Sequence, residues 1–403
     1  MKYLVLIPDG MADYPIELLN NRTPMEAAYK PVMDKLAKSS FYGLVQNVPE
    51  GMVPESDTAN MAILSFDPKI YSKGRSPLEA VSMGLTLSGD DVAIRANTVS
   101  LSYADKFEDR IMLDNAADEI TTEEAAILIE AVNKELSDEI KKLYVGVAYR
   151  HCLIWNGADD QYDFTRPHDI IGKRIGDYLP NDASGKVYLD FMNATCDILE
   201  HHPLNKERKR RGKLPANALW LWSPGKSLAL PSFKDKFGFN ATAISAVDLI
   251  KGIGICADMK TVNVEGATGT VNTNYEGKAQ AAINAFKNGD DLVYLHFEGP
   301  DEHGHGGQAD LKIKSIEYID SRALSPILDY LENCGEDFGI MILPDHPTPI
   351  SVRTHTREPV PYIIYSSKNP HSGIDLFSEA NCADGVYIAD GWKLMEYFID
   401  LTK

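Results

Sequence analysis

The hydrophobic positions of this chain gather into short continuous runs that stop abruptly at proline, glycine and aspartate. Residues 3–7 are unbroken apolar sequence ahead of Pro8-Asp9-Gly10, the pattern of a strand buried on both faces of a parallel sheet. Residues 292–297 run in the same way into Glu298-Gly299-Pro300-Asp301, and residues 338–343 into Pro344-Asp345-His346. Further strands are predicted over 41–48, 92–100, 143–153, 187–191, 218–222 and 241–245. Helical stretches lie between them. Thr23-Pro24-Met25-Glu26 opens a helix expected to reach about residue 39, with Thr as N-cap and Pro at the first position. Another is expected to begin within residues 74–80, and others at 59–66, 121–136, 233–237, 247–252, 279–286 and 313–333. This alternation predicts an α/β fold. Near residue 88 the character changes, and 89–215 reads as a smaller α/β domain inserted into one formed by 1–88 and 216–403. The charge run from Asn205 to Lys213 reads as a solvated linker at the return crossing.

Composition narrows the function. A hydrophobic fraction of 44% and a charged fraction of 25% describe an ordinary globular protein. The formal charge of −19 argues against nucleic acid as a partner, which needs a basic face. An anionic substrate would need local arginine and lysine, or bound divalent cations, to offset that charge. The five cysteines are scattered and form no CxxC pair, so a reduced, cytoplasmic protein is expected. The apolar run after Met1-Lys2 is too short for a signal-peptide core or a membrane span.

The three strand ends carry the chemistry. Parallel strands present their carboxyl ends along one edge, so Asp9, Asp301 and Asp345 are expected to converge there with His305, His346 and His355. Asp301 and His305 are four apart, which on a helical turn aims both the same way. Buried unpaired carboxylates are costly, and metal coordination removes that cost. Oxygen and imidazole donors suit Mn²⁺, Zn²⁺ or Mg²⁺, and the number of donors suits two ions. Ser56 follows a Pro- and Gly-punctuated loop just ahead of the helix at 59–66. It reads either as part of a simple N-cap or as a nucleophile whose phosphoester would be stabilised by backbone N–H groups.

Asp9-Gly10, Ser56-Asp57-x-Ala59-Asn60, Gly74-Arg75-x-Pro77-x-Glu79-Ala80, Lys251-Gly252-Ile253-Gly254, Asp301-Glu302-x-Gly304-His305, Asp345-His346 and Thr354-His355-Thr356 occur in this order. Together they resemble the archaeal type of cofactor-independent phosphoglycerate mutase, in the alkaline phosphatase superfamily. The resemblance spans nearly the whole chain and implies an alkaline-phosphatase-like core sheet with an inserted domain that holds and closes over a small phosphorylated substrate. It implies that Asp301, His305 and His355 hold one Mn²⁺-type ion, and that Asp9, Ser56, Asp345 and His346 hold the other. Ser56 would carry the phosphoryl group, with Lys251 near it and Arg75 helping to neutralise it. Arg95, Arg150, His168 and Asp57 are the candidate substrate contacts.

One departure bears on specificity. The family usually carries an Asp-Arg-Arg-Ala-Gly-Arg run in the inserted domain, where this chain has Asp114-Asn115-Ala116-Ala117-Asp118-Glu119. Loss of bidentate guanidinium groups changes how a carboxylate or phosphate is gripped. A branch of the same family has been proposed to act as homoserine kinases, and Asp118 or Glu119 would suit an ammonium. That kinase reading and a metal-dependent phosphatase are the alternatives.

Overall fold

The computed structural model describes residues 1–72, 74–227 and 229–403. The strands are β1 (Lys2–Pro8), β2 (Ser40–Val45), β3 (Asp91–Leu101), β4 (Met112–Asp114), β5 (Lys141–Tyr144), β6 (Arg150–Asn156), β7 (Ala218–Lys226), β8 (Ala241–Ile244), β9 (Lys260–Val262), β10 (Leu292–Phe297), β11 (Phe338–Ile342), β12 (Val360–Ser366) and β13 (Val386–Ile388). The chain divides into two compact units, one of residues 1–72 and 229–403, the other of 74–227. The helix Ser76–Ser82 and strand β7 both pack on β3. Residues 74–88 and 216–227 therefore go with the second unit, unlike the boundaries at 88/89 and 215/216 expected from sequence.

In the first unit one mixed sheet has the strand order β13-β2-β12-β11-β1-β10-β8-β9. β1 lies between β11 and β10 and is parallel to both. Every residue of β1, β10 and β11 is buried, which is why these segments read as continuous apolar runs rather than alternating ones. Helices cover the sheet: Ala279, Ala282 and Phe286 of Tyr275–Lys287, and Ile327 and Leu331 of Ser325–Asn333, share a core with Leu4, Leu6 and Val293. In the second unit β3 pairs antiparallel with β4, β6 and β7. Among the described residues no helix is long and apolar enough to cross a membrane.

Several elements depart from the sequence expectation, each for a local reason. The helix expected over 23–39 is two, Pro24–Ala27 and Pro31–Ala37. Thr23 forms a full capping box with Glu26, but Pro31 excludes the helical conformation from Lys30, which sits at φ −129°, ψ 61°. The strand expected over 143–153 is β5 and β6, two antiparallel strands turned through Ala148 at φ 54°. The strand expected at 187–191 lies inside the helix Lys186–Glu200, whose buried Tyr188, Phe191, Met192, Thr195, Cys196 and Leu199 follow helical spacing. The charge run is no linker. Pro203–Arg210 is a helix, and Arg208 is buried, donating to Glu124 and to the Ala117 and Leu214 carbonyls.

The helix expected over 313–333 spans Ala309–Tyr318, a π-helical turn Ile319–Leu324, and Ser325–Asn333. Pro326, near the start of the last segment, has no N–H for a regular ladder, and the wide turn precedes it. Within that turn the fully buried Asp320 accepts from Val32 N (3.2 Å) and Met33 N (2.7 Å), satisfying the start of Pro31–Ala37. Burial pushes its carboxyl up to about 6, against the bonds from those two amides. A carboxyl whose folded value exceeds its unfolded one binds protons on folding. Its contribution to stability is therefore full at about pH 4 and lost as pH rises through about 6, on the order of 2–3 kcal/mol. Asp320→Asn is expected to flatten the unfolding free energy between about pH 4 and pH 7 by that amount, measured by urea denaturation across pH. An unchanged slope would contradict it.

Candidate functional site

Asp9, Asp301 and Asp345 follow the carboxyl ends of β1, β10 and β11, three neighbouring parallel strands. The register sets Pro8 beside Phe297, and the Asp9 amide donates to the Phe297 carbonyl at 2.9 Å. Gly10 then turns the chain at φ 62°, and a Cβ there would lie 2.6 Å from Thr348 Oγ1 and 2.7 Å from Asp301 Cα. Only glycine fits so close an approach with that backbone. The Gly10 amide donates to Asp345 Oδ1 (3.2 Å), as does the His346 amide (3.0 Å). Asp301 and His305 lie on the helix Gly299–His305, and a Cβ at Gly304 would meet the Thr348 carbonyl at 2.5 Å. The buried Lys312 donates to Asp13 Oδ2 (2.7 Å) and Thr348 O (2.8 Å), anchoring the segment after His346.

Two overlapping donor groups result. Donor atoms of Asp9, Asp345 and His346 lie within 4.8 Å of one another, and so do those of Asp301, His346 and His355. His346 Nε2 is 3.6 Å from Asp9 Oδ1 and 3.5 Å from Asp345 Oδ2. His305 Nε2 is 3.3 Å from Asp301 Oδ2, and His355 Nε2 is 3.3 Å from Asp301 Oδ1. Ser56 is the first residue of the helix Ser56–Ile63, rather than standing ahead of it, and its Oγ is 3.1 Å from His346 Nε2. Thr348 Oγ1 donates to Asp301 Oδ1 and lies 3.3 Å from His346 Nδ1. With the Thr348 proton committed to Asp301, His346 carries its proton on Nδ1 and turns the Nε2 lone pair towards Ser56, Asp9 and Asp345.

The electrostatics of the cluster favour a bound cation. Burial and then the charges of Asp345 and Asp301 hold the Asp9 carboxyl well above the usual carboxylate range. Burial opposes ionisation of Asp301 as well, but His305 and His355 outweigh it and hold that carboxyl well below its ordinary value. Asp9 Oδ1 is buried without a hydrogen-bond partner. His305 Nδ1 faces the Arg353 carbonyl (3.0 Å) and His355 Nδ1 the Pro54 carbonyl (2.8 Å), so both rings direct Nε2 inwards, 2.9 Å apart. Two lone pairs at that distance repel unless a proton or metal ion lies between them. Bonding Nδ1 to a carbonyl is also how a ligating imidazole is oriented. Carboxylate and imidazole donors with no thiolate fit a divalent cation.

The other expected residues fall in different surroundings. Lys251 Nζ is held by Asp248 Oδ1 (2.7 Å) and Asn263 Oδ1 (3.2 Å) in the first unit. Asp57 is buried on the Ser56 helix. In the second unit Arg95 pairs with Glu79 (3.1 Å) and lies over the Trp222 ring, 4.1 Å from its centroid. His168 stands edge-on to Trp222 at 5.7 Å. Burial lowers the Arg95 pKa, and the nearby Arg75 and Arg150 lower it further against Glu79. Asp118, considered for an ammonium, instead accepts from Leu214 N (3.1 Å) and Lys213 Nζ (3.3 Å).

Three contributors were not assigned from sequence. His296 is fully buried within β10, and its Nε2 lies 3.0 Å from Asp9 Oδ2. Thr348 bridges Asp301 and His346, and only its place between Pro347 and Pro349, just after Asp345-His346, marked it. Asn60, which the sequence places in the Ser56 motif, donates to Asp345 Oδ2 at 2.8 Å.

Fold and donor set together define an α/β protein of the divalent-metal-binding class, with a serine hydroxyl among the metal-capable groups. Residues 37–205 match the family described as 2,3-bisphosphoglycerate-independent phosphoglycerate mutase. A protein of that name from Methanosarcina mazei is 46% identical over 387 residues, 96% of each chain. Its Methanosarcina acetivorans counterpart is 47% identical over 388 residues, again 96% of each. Among solved structures, a protein from Pyrococcus horikoshii matches with a TM-score of 0.83 at 30% identity, covering 99% of this chain and 97% of that one. The cofactor-independent phosphoglycerate mutase from Thermoplasma acidophilum matches with a TM-score of 0.69 at 27% identity over 100% of both chains. The chain belongs to the 2,3-bisphosphoglycerate-independent phosphoglycerate mutase family.

The crowding of carboxylates has a measurable consequence. In chelator, Asp9→Asn is expected to raise the thermal midpoint, with a gain that grows with pH above about 4. Differential scanning calorimetry across pH reads this, and a lowered midpoint would contradict it.

Proposed function

We propose that this chain interconverts 2- and 3-phosphoglycerate through a phosphorylated Ser56. The observation that carries the reading is the Ser56 hydroxyl, 3.1 Å from His346 Nε2 at the edge of buried carboxylates and imidazoles. Membership of a mutase family over nearly the whole chain supports it. Asp9, Ser56, Asp345 and His346 would hold one divalent cation, and Asp301, His305 and His355 a second, with Mn²⁺ the first candidate. Such ions, when bound, lower the pKa of the serine hydroxyl and neutralise the oxygens of the transferring phosphoryl group.

The chain's own residues do the rest. Ser56 Oγ attacks phosphorus and gives up its proton, the phosphorus–oxygen bond to one glycerate oxygen breaks, and that oxygen takes up a proton to become a hydroxyl. The neighbouring glycerate hydroxyl then attacks phospho-Ser56 and gives up its proton, the bond from phosphorus to Ser56 Oγ breaks, and Oγ is reprotonated, yielding the isomer. No electrons are gained or lost. Because Ser56 begins the helix Ser56–Ile63, a phosphoryl group on it lies at the positive end of the helix dipole, which favours negative charge. Lys251, braced by Asp248 and Asn263, supplies a further positive charge. Arg75, Arg95, Arg150 and His168 provide the anion recognition of the second unit, the substrate-holding domain.

The test uses Mn²⁺-loaded protein with 3-phosphoglycerate. Formation of 2-phosphoglycerate is expected, with Ser56→Ala retaining Mn²⁺ but forming no phosphoenzyme and losing at least about a thousandfold in kcat, the scale for loss of a covalent nucleophile. Release of free phosphate without the isomer, or full activity in Ser56→Ala, would overturn the proposal.

A further inference from the structure

Asn60 sits one turn beyond Ser56 on the same helix and is fully buried. Its Nδ2 makes two bonds, to the Ser56 carbonyl (2.8 Å) and to Asp345 Oδ2 (2.8 Å). Its Oδ1 accepts from the Tyr294 hydroxyl, on the fully buried strand β10. The side chain therefore touches three elements at once: the helix that begins with Ser56, the end of β11 and the middle of β10.

The acceptors fix which way the amide points: the Asp345 carboxylate and the Ser56 carbonyl can only accept, so the NH₂ group faces them and Oδ1 faces the Tyr294 hydroxyl. The hydrogen bond that Tyr294 donates to Oδ1 then holds the amide in that orientation. Asp345 Oδ1 is already taken by the Gly10 and His346 amides, so the Asn60 bond is what fixes the rotation of Oδ2. That oxygen is the one 3.5 Å from His346 Nε2. The same NH₂ group ties the carbonyl of Ser56, whose hydroxyl faces that imidazole. One amide thus registers two of the groups the reaction needs, and both of its functional ends are satisfied by buried partners. A buried polar network of this kind specifies geometry because breaking any link leaves an unpaired group behind.

We propose that Asn60, oriented by Tyr294, is a positioning residue that holds Asp345 and Ser56 in register for metal binding and phosphoryl transfer. This rests on the function proposed above, and its two readouts separate the two ideas. Tyr294→Phe keeps the ring and its packing while removing the hydroxyl, so it is the first variant; Asn60→Ala removes the amide. For Tyr294→Phe the expectation is about a tenfold weaker Mn²⁺ affinity by isothermal titration and about a tenfold lower kcat, with KM for 3-phosphoglycerate unchanged, the scale seen when outer partners of metal ligands are lost. Asn60→Ala should lose more than Tyr294→Phe, and the double variant should be no worse than Asn60→Ala, because Tyr294 acts only through the amide. Wild-type Mn²⁺ affinity and kcat in Tyr294→Phe, whether or not its Tm falls, would overturn the assignment. So would additive losses in the double variant. If the unaltered protein lacks mutase activity, the proposed function fails and the Mn²⁺ titration alone decides the role of Asn60.

Discussion

The structure depends on an electrostatic debt at one sheet edge. Asp9, Asp301 and Asp345 end three adjacent parallel strands, and all three are buried. Topology leaves them no room to separate, because β1 is hydrogen-bonded on both sides by the strands that carry the other two. Imidazoles meet part of the charge where His305 and His355 face Asp301, whereas His346 turns a lone pair towards Asp9 and Asp345 and compensates neither. Asp9 keeps an unpartnered oxygen even so. A sheet edge with this much crowded carboxylate gains stability when divalent cations complete it.

Around this edge the fold spends its rarest local choices. Gly10 permits a left-handed turn within van der Waals reach of Asp301 and Thr348, and Gly304 lets the Asp301 helix press on the Thr348 backbone. The Thr348 hydroxyl donates a hydrogen bond to Asp301, which settles the tautomer of His346, and the Lys312–Asp13 pair holds the segment in place. Each device is individually small, worth about 1–3 kcal/mol on general grounds. Their joint effect is to keep donor atoms aimed inwards when mutual repulsion would turn them away.

Much of this was legible in the chain itself. Buried parallel strands write themselves as unbroken apolar runs, and a Pro-Asp stop at the end of each is visible without any coordinates. The adjacency of β11, β1 and β10 was not, since strand order is set by how crossover helices pack. Nor were the roles of Thr348, Asn60 and His296 accessible, because each acts through a partner distant in sequence: Thr348 on Asp301, Asn60 on Asp345, His296 against Asp9. The misread segments have simple causes. Residues 187–191 look like a strand in isolation, and only the buried spacing continued to Leu199 reveals a helix. Arg208 looked solvated within its charge run because its partners Glu124, Ala117 and Leu214 lie elsewhere in the chain.

The most direct test of the central claim is an anomalous-diffraction map from crystals loaded with Mn²⁺. The account predicts density bounded by Asp9, Asp345, His346 and Ser56, and further density bounded by Asp301, His305 and His355. Full occupancy elsewhere in the molecule, with none beside Asp9, would contradict it.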